Sequence, residues 1–66
     1  MFITFWDKKG NYVYNAKYIH SVQKLSDNAY FGIIFHDGSY QTFDYDSSDE
    51  AYSLYSHVRQ QLQGGM

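Results

Sequence analysis

The sequence predicts an α+β domain, a small antiparallel β-meander of four or five strands with one C-terminal amphipathic helix packed on one face. Three observations support this: short β-favouring segments separated by turn signals, an Asp-Gly pair at residues 37–38, and one helical apolar stripe after residue 50. The pattern leaves open whether the sheet stays open or rolls into a small SH3-like barrel.

The first two strands are predicted as a hairpin. Residues 2–6 read Phe-Ile-Thr-Phe-Trp, and residues 11–14 read Asn-Tyr-Val-Tyr. Between them, residues 7–10 (Asp-Lys-Lys-Gly) supply a tight turn in which Gly10 takes a positive φ. A third strand is expected over residues 18–25, after a brief break at 15–17. A polar turn is expected over residues 26–29.

The fourth strand, residues 30–36, is the most strand-like segment, and the Asp37-Gly38 pair that follows is typical of a two-residue hairpin loop. Such a loop fixes the register of the returning strand. It pairs His36 with Ser39, Phe35 with Tyr40, Ile33 with Thr42, Gly32 with Phe43, and Tyr30 with Tyr45. An aromatic ring would then cover the bare backbone of Gly32.

After Tyr45 the spacing of apolar residues changes from that of a strand to that of a helix. The apolar stripe consists of Ala51, Leu54, Tyr55, Val58 and Leu62. Ser47 and Glu50 match a capping box, in which each side chain bonds a free backbone N–H at the helix start. We expect one compact domain over residues 1–62 and a flexible tail over 63–66, because Gly64 and Gly65 end helices.

Alternation along the strands separates two faces of the predicted sheet. The first comprises Val22, Ile33, Thr42, Phe31, Phe35 and Tyr40, with His20, Lys24 and Asp44 toward the ends. We assign it to the core and the helix because its centre is more apolar, although the margin is small and the pattern leaves the reverse assignment open. The second comprises Ile34, Phe43, Leu25, Tyr30 and Tyr45, mixed with Ser21, Gln23, His36 and Gln41. We predict a protein-binding surface there, with Tyr30, Ile34, Phe43 and Tyr45 as anchors and His36 and Gln41 as its polar rim.

Composition favours a binding role over catalysis. Aromatic residues make up 21% of 66 residues, more than one small monomeric core is expected to bury. We therefore predict a non-enzymatic protein-interaction module, a homodimer or a small adaptor, regulator or inhibitor. The chain has no cysteine, which fits a cytoplasmic setting, and no apolar run long enough for a membrane span.

Single-stranded nucleic-acid binding is the alternative, because aromatic rings on a small sheet or barrel can stack bases. The rings that could form such a platform are Trp6, Tyr12, Tyr14, Tyr30, Phe43 and Tyr45. Five Lys/Arg against seven Asp/Glu, a net charge of −2, disfavour this alternative.

No catalytic, metal or cofactor site is predicted, and no small-molecule substrate. Strand alternation places His20 and His36 on opposite faces, and His57 lies on the helix, so no three ligands converge. The acidic run that starts at residue 44 departs from a calcium-binding loop at its sixth position, Asp49, and its twelfth, Tyr55.

Residues 10–19 (Gly-Asn-Tyr-Val-Tyr-Asn-Ala-Lys-Tyr-Ile) and 33–39 (Ile-Ile-Phe-His-Asp-Gly-Ser), with the terminal helix, resemble small bacterial and phage proteins. A short flagellar-operon family has a similar order of Gly, Asn and Ile. The resemblance covers a handful of residues, and we carry no function over from it.

Overall fold

A computed structural model describes residues 1–25 and 27–64. In chain order the elements are β1 (Phe2–Asp7), β2 (Gly10–Asn15), a single-turn 3₁₀ helix (Ala16–Tyr18), β3 (Ile19–Gln23), β4 (Tyr30–Phe35), β5 (Tyr40–Asp44) and α1 (Ser48–Gly64). The predicted α+β class is confirmed. The antiparallel strands divide into a two-stranded sheet, β1-β2, and a three-stranded sheet, β3-β4-β5, with α1 packed against both.

The first hairpin forms as the sequence predicts. Asp7 pairs with Gly10 across a two-residue turn, and Gly10 has a φ of +149°. The Asp7 carboxylate accepts a hydrogen bond from the Lys9 backbone N–H at 2.8 Å, which closes the turn. Ile3 and Phe5 face inward because they alternate with Phe2, Thr4 and Trp6 along the strand.

A β-bulge interrupts the pairing of β3 with β4. Ile19 lies opposite Phe35 and Ser21 lies opposite Ile34, so His20 is the extra residue on β3. The bulge lets both Ile19 and Val22 face the core, although a regular strand would place them on opposite sides. The sequence prediction that His20 shares the core face with Val22 is therefore wrong.

The predicted register of β4 with β5 is wrong by one residue. Gly32 lies opposite Thr42, and Phe31 lies opposite Phe43. The loop has three residues rather than two: the Gly38 N–H donates to the Phe35 carbonyl at 3.0 Å, and Gly38 alone takes a positive φ, +92°. Asp37 avoids a positive φ, and its carboxylate instead accepts hydrogen bonds from the Ser39 backbone and hydroxyl at 2.8 and 2.6 Å.

This shift turns β5 over relative to β4. Phe43 and Tyr45 face the core, while Tyr40, Thr42 and Asp44 face outward. The predicted register would have buried Thr42 and exposed Phe43. Burial of two aromatic rings is therefore the physical reason for the observed register, because it removes far more apolar surface from water.

The helix begins where the sequence predicts. The Ser47 hydroxyl accepts the Glu50 N–H at 3.1 Å, and the Glu50 carboxylate accepts the Asp46 N–H at 3.2 Å, one residue before the expected partner. The helix includes Gln63 and Gly64 and so continues past the predicted domain limit at residue 62. Residues 65 and 66 of the predicted tail, and Ser26 of the predicted turn, lie outside the described residues.

The core lies between the two sheets and the helix. Its buried members are Ile3, Phe5, Ile19, Phe31, Ile33, Phe43, Tyr45, Ala51, Leu54 and Val58. The Phe5 ring is central, with its centroid 4.7 Å from that of Phe43 in an edge-to-face contact and 5.7 Å from that of Phe31. Within the described part of the chain, no helix combines the length and apolar character needed to cross a membrane.

Candidate protein-interaction surface

The six predicted binding residues do not share one surface. Phe43 and Tyr45, two of the four predicted anchors, are only 1% and 4% exposed and belong to the core. Tyr30 and Ile34 are half-buried on the outer side of the three-stranded sheet. The two rim residues, His36 and Gln41, are exposed, but Gln41 projects on the same side of β5 as Phe43.

The placement of Phe43 and Tyr45 on an exposed face is therefore a wrong prediction, and the register shift explains it. Tyr45 stacks on Phe31 at a centroid distance of 5.8 Å, and its hydroxyl donates a short hydrogen bond to the Trp6 carbonyl. Burial, with the charges of Asp7 and Glu50 adding to it, raises the pKa of the Tyr45 hydroxyl well above its usual range. This phenol acts as a neutral donor that joins β1 to the segment between β5 and α1.

The outer side of the three-stranded sheet presents what we call the three-strand face, formed by Tyr30, Ile34, Tyr40 and Thr42. Tyr40, 54% exposed, lies over Gly32 and would contact any side-chain atom added there. An aromatic ring does cover Gly32, as expected, but it comes from Tyr40 rather than Phe43. The Tyr30 hydroxyl accepts a hydrogen bond from the Asn28 amide at 3.1 Å.

The outer side of the β1-β2 sheet is more apolar. Cross-strand pairing places Thr4 opposite Val13, and Phe2 and Trp6 flank Thr4 on the same side of β1. We call Phe2, Thr4, Trp6 and Val13 the hairpin face. Phe2 is 66% exposed, Val13 is 64% and Trp6 is 49%. Trp6, the single tryptophan, also lies 6.0 Å from the His57 ring on α1.

Sequence reasoning did not single out the hairpin face, although one signal for it was present. Residues 2–6 are apolar at four of five positions, so both faces of this strand carry large side chains. Only one of those faces can lie against the core of a two-layer domain. The alternation itself does not tell which face stays outside.

The free edge of β1 is covered by the helix. The Thr4 N–H donates to the Gln61 side-chain oxygen at 3.1 Å, and the Gln61 amide donates to the Thr4 carbonyl at 2.9 Å. His57 Nε2 lies 3.2 Å from the same carbonyl. The amide of Gln61 thus occupies the place of a neighbouring strand and blocks strand addition at this position.

The rings proposed as a base-stacking platform are dispersed. Tyr12 and Tyr14 pack against Phe5, with centroids 5.4 and 5.8 Å away, and lie inward with the buried Phe43 and Tyr45. Trp6 faces outward on the other side of the hairpin. Lys8 is paired with Asp46 at 3.1 Å. No continuous aromatic and basic surface is formed by these side chains.

The structure also corrects the placement of two histidines. The bulge brings the rings of His20 and His36 to a centroid distance of 5.4 Å, whereas strand alternation predicted opposite faces. Within residues 1–25 and 27–64, no three His, Cys, Asp or Glu side chains converge as a metal-binding group.

In comparisons with known proteins, no protein-family model, no curated protein and no solved structure matches this chain.

Proposed function

We propose that this chain is a non-enzymatic protein-interaction module that binds through the hairpin face, with a second copy of the same chain as its partner. The supporting observation is the exposure of Phe2, Trp6 and Val13 on the same outer surface of one sheet. Aromatic residues are enriched at the centres of protein interfaces and contribute much of their binding energy.

The size of the hairpin face supports a small, reversible interface. A fully buried aromatic side chain removes about 150–250 Å² of accessible surface from water. The three partly exposed side chains therefore present a patch on the order of 400 Å², within the range of functional patches on monomers. Specific complexes cover about 800 Å² per partner. Additional contacts from neighbouring polar residues such as Asn11 and Asn15 would complete the interface.

The single tryptophan makes the proposal directly testable. Trp6 lies within the proposed interface, so its fluorescence emission should shift to shorter wavelength as protein concentration rises. Sedimentation equilibrium on the same samples should show the mass increasing toward that of a dimer. Phe2→Ser and Val13→Lys leave the fluorophore in place and should shift both transitions to higher concentration.

Tyr52→Ser and Tyr40→Ser are matched controls. Tyr52 is a 59% exposed ring on α1, and Tyr40 belongs to the three-strand face; neither lies on the hairpin face. Both should associate like the unmodified chain. Loss of association in Tyr40→Ser alone would move the interface to the three-strand face and overturn the assignment. A monomeric mass at all concentrations, with constant emission, would overturn self-association.

One further expectation belongs to this proposal, and one measurement would favour the alternative. A cytoplasmic setting is supported by the absence of cysteine from the whole sequence. A salt-sensitive gel shift with random single-stranded DNA or RNA would instead support the nucleic-acid alternative, because phosphate contacts weaken as salt rises.

A further inference from the structure

The β-bulge creates a pair of histidines that strand alternation would separate. His20 is the extra residue of β3, and His36 follows the last residue of β4. The His36 backbone N–H donates to the Tyr18 carbonyl at 2.9 Å, which joins the end of β4 to the segment that leads into β3. Both side chains are exposed, and their ring planes are nearly perpendicular, at 88°.

The separation of the rings suits a shared metal ion. A metal–imidazole nitrogen bond of about 2.0–2.1 Å places an ion about 3.2 Å from each ring centroid. With centroids 5.4 Å apart, one ion bound to both rings would make an angle of roughly 115° at the metal. Tetrahedral coordination needs about 109°, so small side-chain rotations are sufficient.

The perpendicular rings are compatible with this arrangement. Each metal–nitrogen bond lies in the plane of its own ring, so rotation about the bond leaves the angle between the two planes free. His20 Nδ1 lies 3.3 Å from the Ser21 hydroxyl, a contact that orients the ring and favours Nε2 as the ligand atom.

We propose that His20 and His36 chelate one divalent first-row transition-metal ion, with Zn²⁺ best matched by geometry. Imidazole nitrogen suits Zn²⁺, Cu²⁺ and Ni²⁺, whereas Mg²⁺ and Ca²⁺ prefer oxygen ligands. Two protein ligands leave the other coordination positions to water. The site is therefore weaker than a structural zinc site with four protein ligands.

The test is isothermal titration of the untagged full chain with Zn²⁺, followed by Cu²⁺ and Ni²⁺. We expect saturable Zn²⁺ binding and tighter Cu²⁺ binding, the order that generic nitrogen ligands give. His20→Asn and His36→Asn should each weaken binding by about tenfold or more, because the second ligand no longer acts at a high effective concentration. His57→Gln, which changes the third histidine, should bind like the unmodified chain.

Two controls keep the result unambiguous. Near-ultraviolet circular dichroism of each variant confirms that the fold is retained, and Mg²⁺ should give no binding heat. Equal Zn²⁺ affinity in the His20→Asn variant and the unmodified chain would overturn the proposal. Weakened binding in His57→Gln alone would also overturn it, because the ion would then bind at the helix.

Discussion

The two hairpins of this chain differ in how well their turns define their register. In β1-β2, the predicted Asp-Lys-Lys-Gly turn forms, and the strands pair from Asp7 opposite Gly10. In β4-β5, the stronger Asp-Gly signal predicts a pairing that is wrong by one residue. A turn dipeptide is compatible with more than one loop length, and the apolar residues that must be buried decide between them.

The first hairpin shows the opposite difficulty. Its register follows from the turn, but its strands carry large apolar side chains on both sides, so its exposed face does not follow from alternation. The consequence is visible in the candidate site. Two of the four predicted anchors, Phe43 and Tyr45, belong to the core. The first hairpin presents the more apolar outer surface.

The largest expected effect is the difference in stability loss between removing a buried ring and removing an exposed ring of these hairpins. Phe43→Ala removes a fully buried ring and should lower the free energy of unfolding by about 3–5 kcal/mol. Phe2→Ala, at an exposed ring, should change it by no more than about 0.5 kcal/mol in the monomer. Urea unfolding at low protein concentration measures both. Similar losses in the two variants would contradict the observed register.

A smaller effect is expected at the covered edge of β1. Gln61→Ala removes the pair of hydrogen bonds to Thr4 and should cost about 1–2 kcal/mol of unfolding free energy. Gln60→Ala changes the neighbouring exposed glutamine of the same helix and should cost less than about 0.5 kcal/mol. The two variants share helix propensity and composition. A difference near zero between them would show that the Thr4 contacts contribute nothing.

A double-mutant cycle sharpens the register assignment. Gly32→Ala places a methyl group against the Tyr40 ring, so its cost should fall when Tyr40 is replaced by Ala. We expect a coupling energy of about 0.5–1 kcal/mol between the two substitutions. The predicted register would instead couple Gly32 to Phe43. Coupling to Phe43→Leu but not to Tyr40→Ala would favour that register.

The smallest expected effect is a loss of folding stability that begins only at alkaline pH. The folded state raises the pKa of Tyr45, chiefly by burial, so the unfolded chain releases this proton at lower pH than the folded chain does. The contribution is fully present below the unfolded value of about 10 and is lost as pH rises above it. Burial raises the pKa of Tyr14 in the same direction.

Urea unfolding at a series of pH values above 9 checks this prediction. The unmodified chain should lose stability as pH rises, and Tyr45→Phe should lose it less steeply because it has no hydroxyl to ionise. Equal slopes in the two proteins would contradict the assignment of Tyr45 as a buried, neutral donor.

The sequence was sufficient for the elements but not for the surfaces. Alternation in β4 correctly places Phe31 and Ile33 inside, and the helical period correctly selects Ala51, Leu54 and Val58. The positions of Phe43 and His20 depend on one-residue irregularities, the three-residue loop and the bulge. Neither leaves a clear local signal, because both are decided by which side chains the finished core accommodates.

The contacts between Thr4 and Gln61 join residues 57 positions apart in the chain. During synthesis, β1 is therefore made before the helical turn that covers its edge. The amino-terminal hairpin cannot reach its final state cotranslationally until Gln61 has emerged. Until then the edge of β1 exposes unpaired backbone N–H and C=O groups that can pair with another strand.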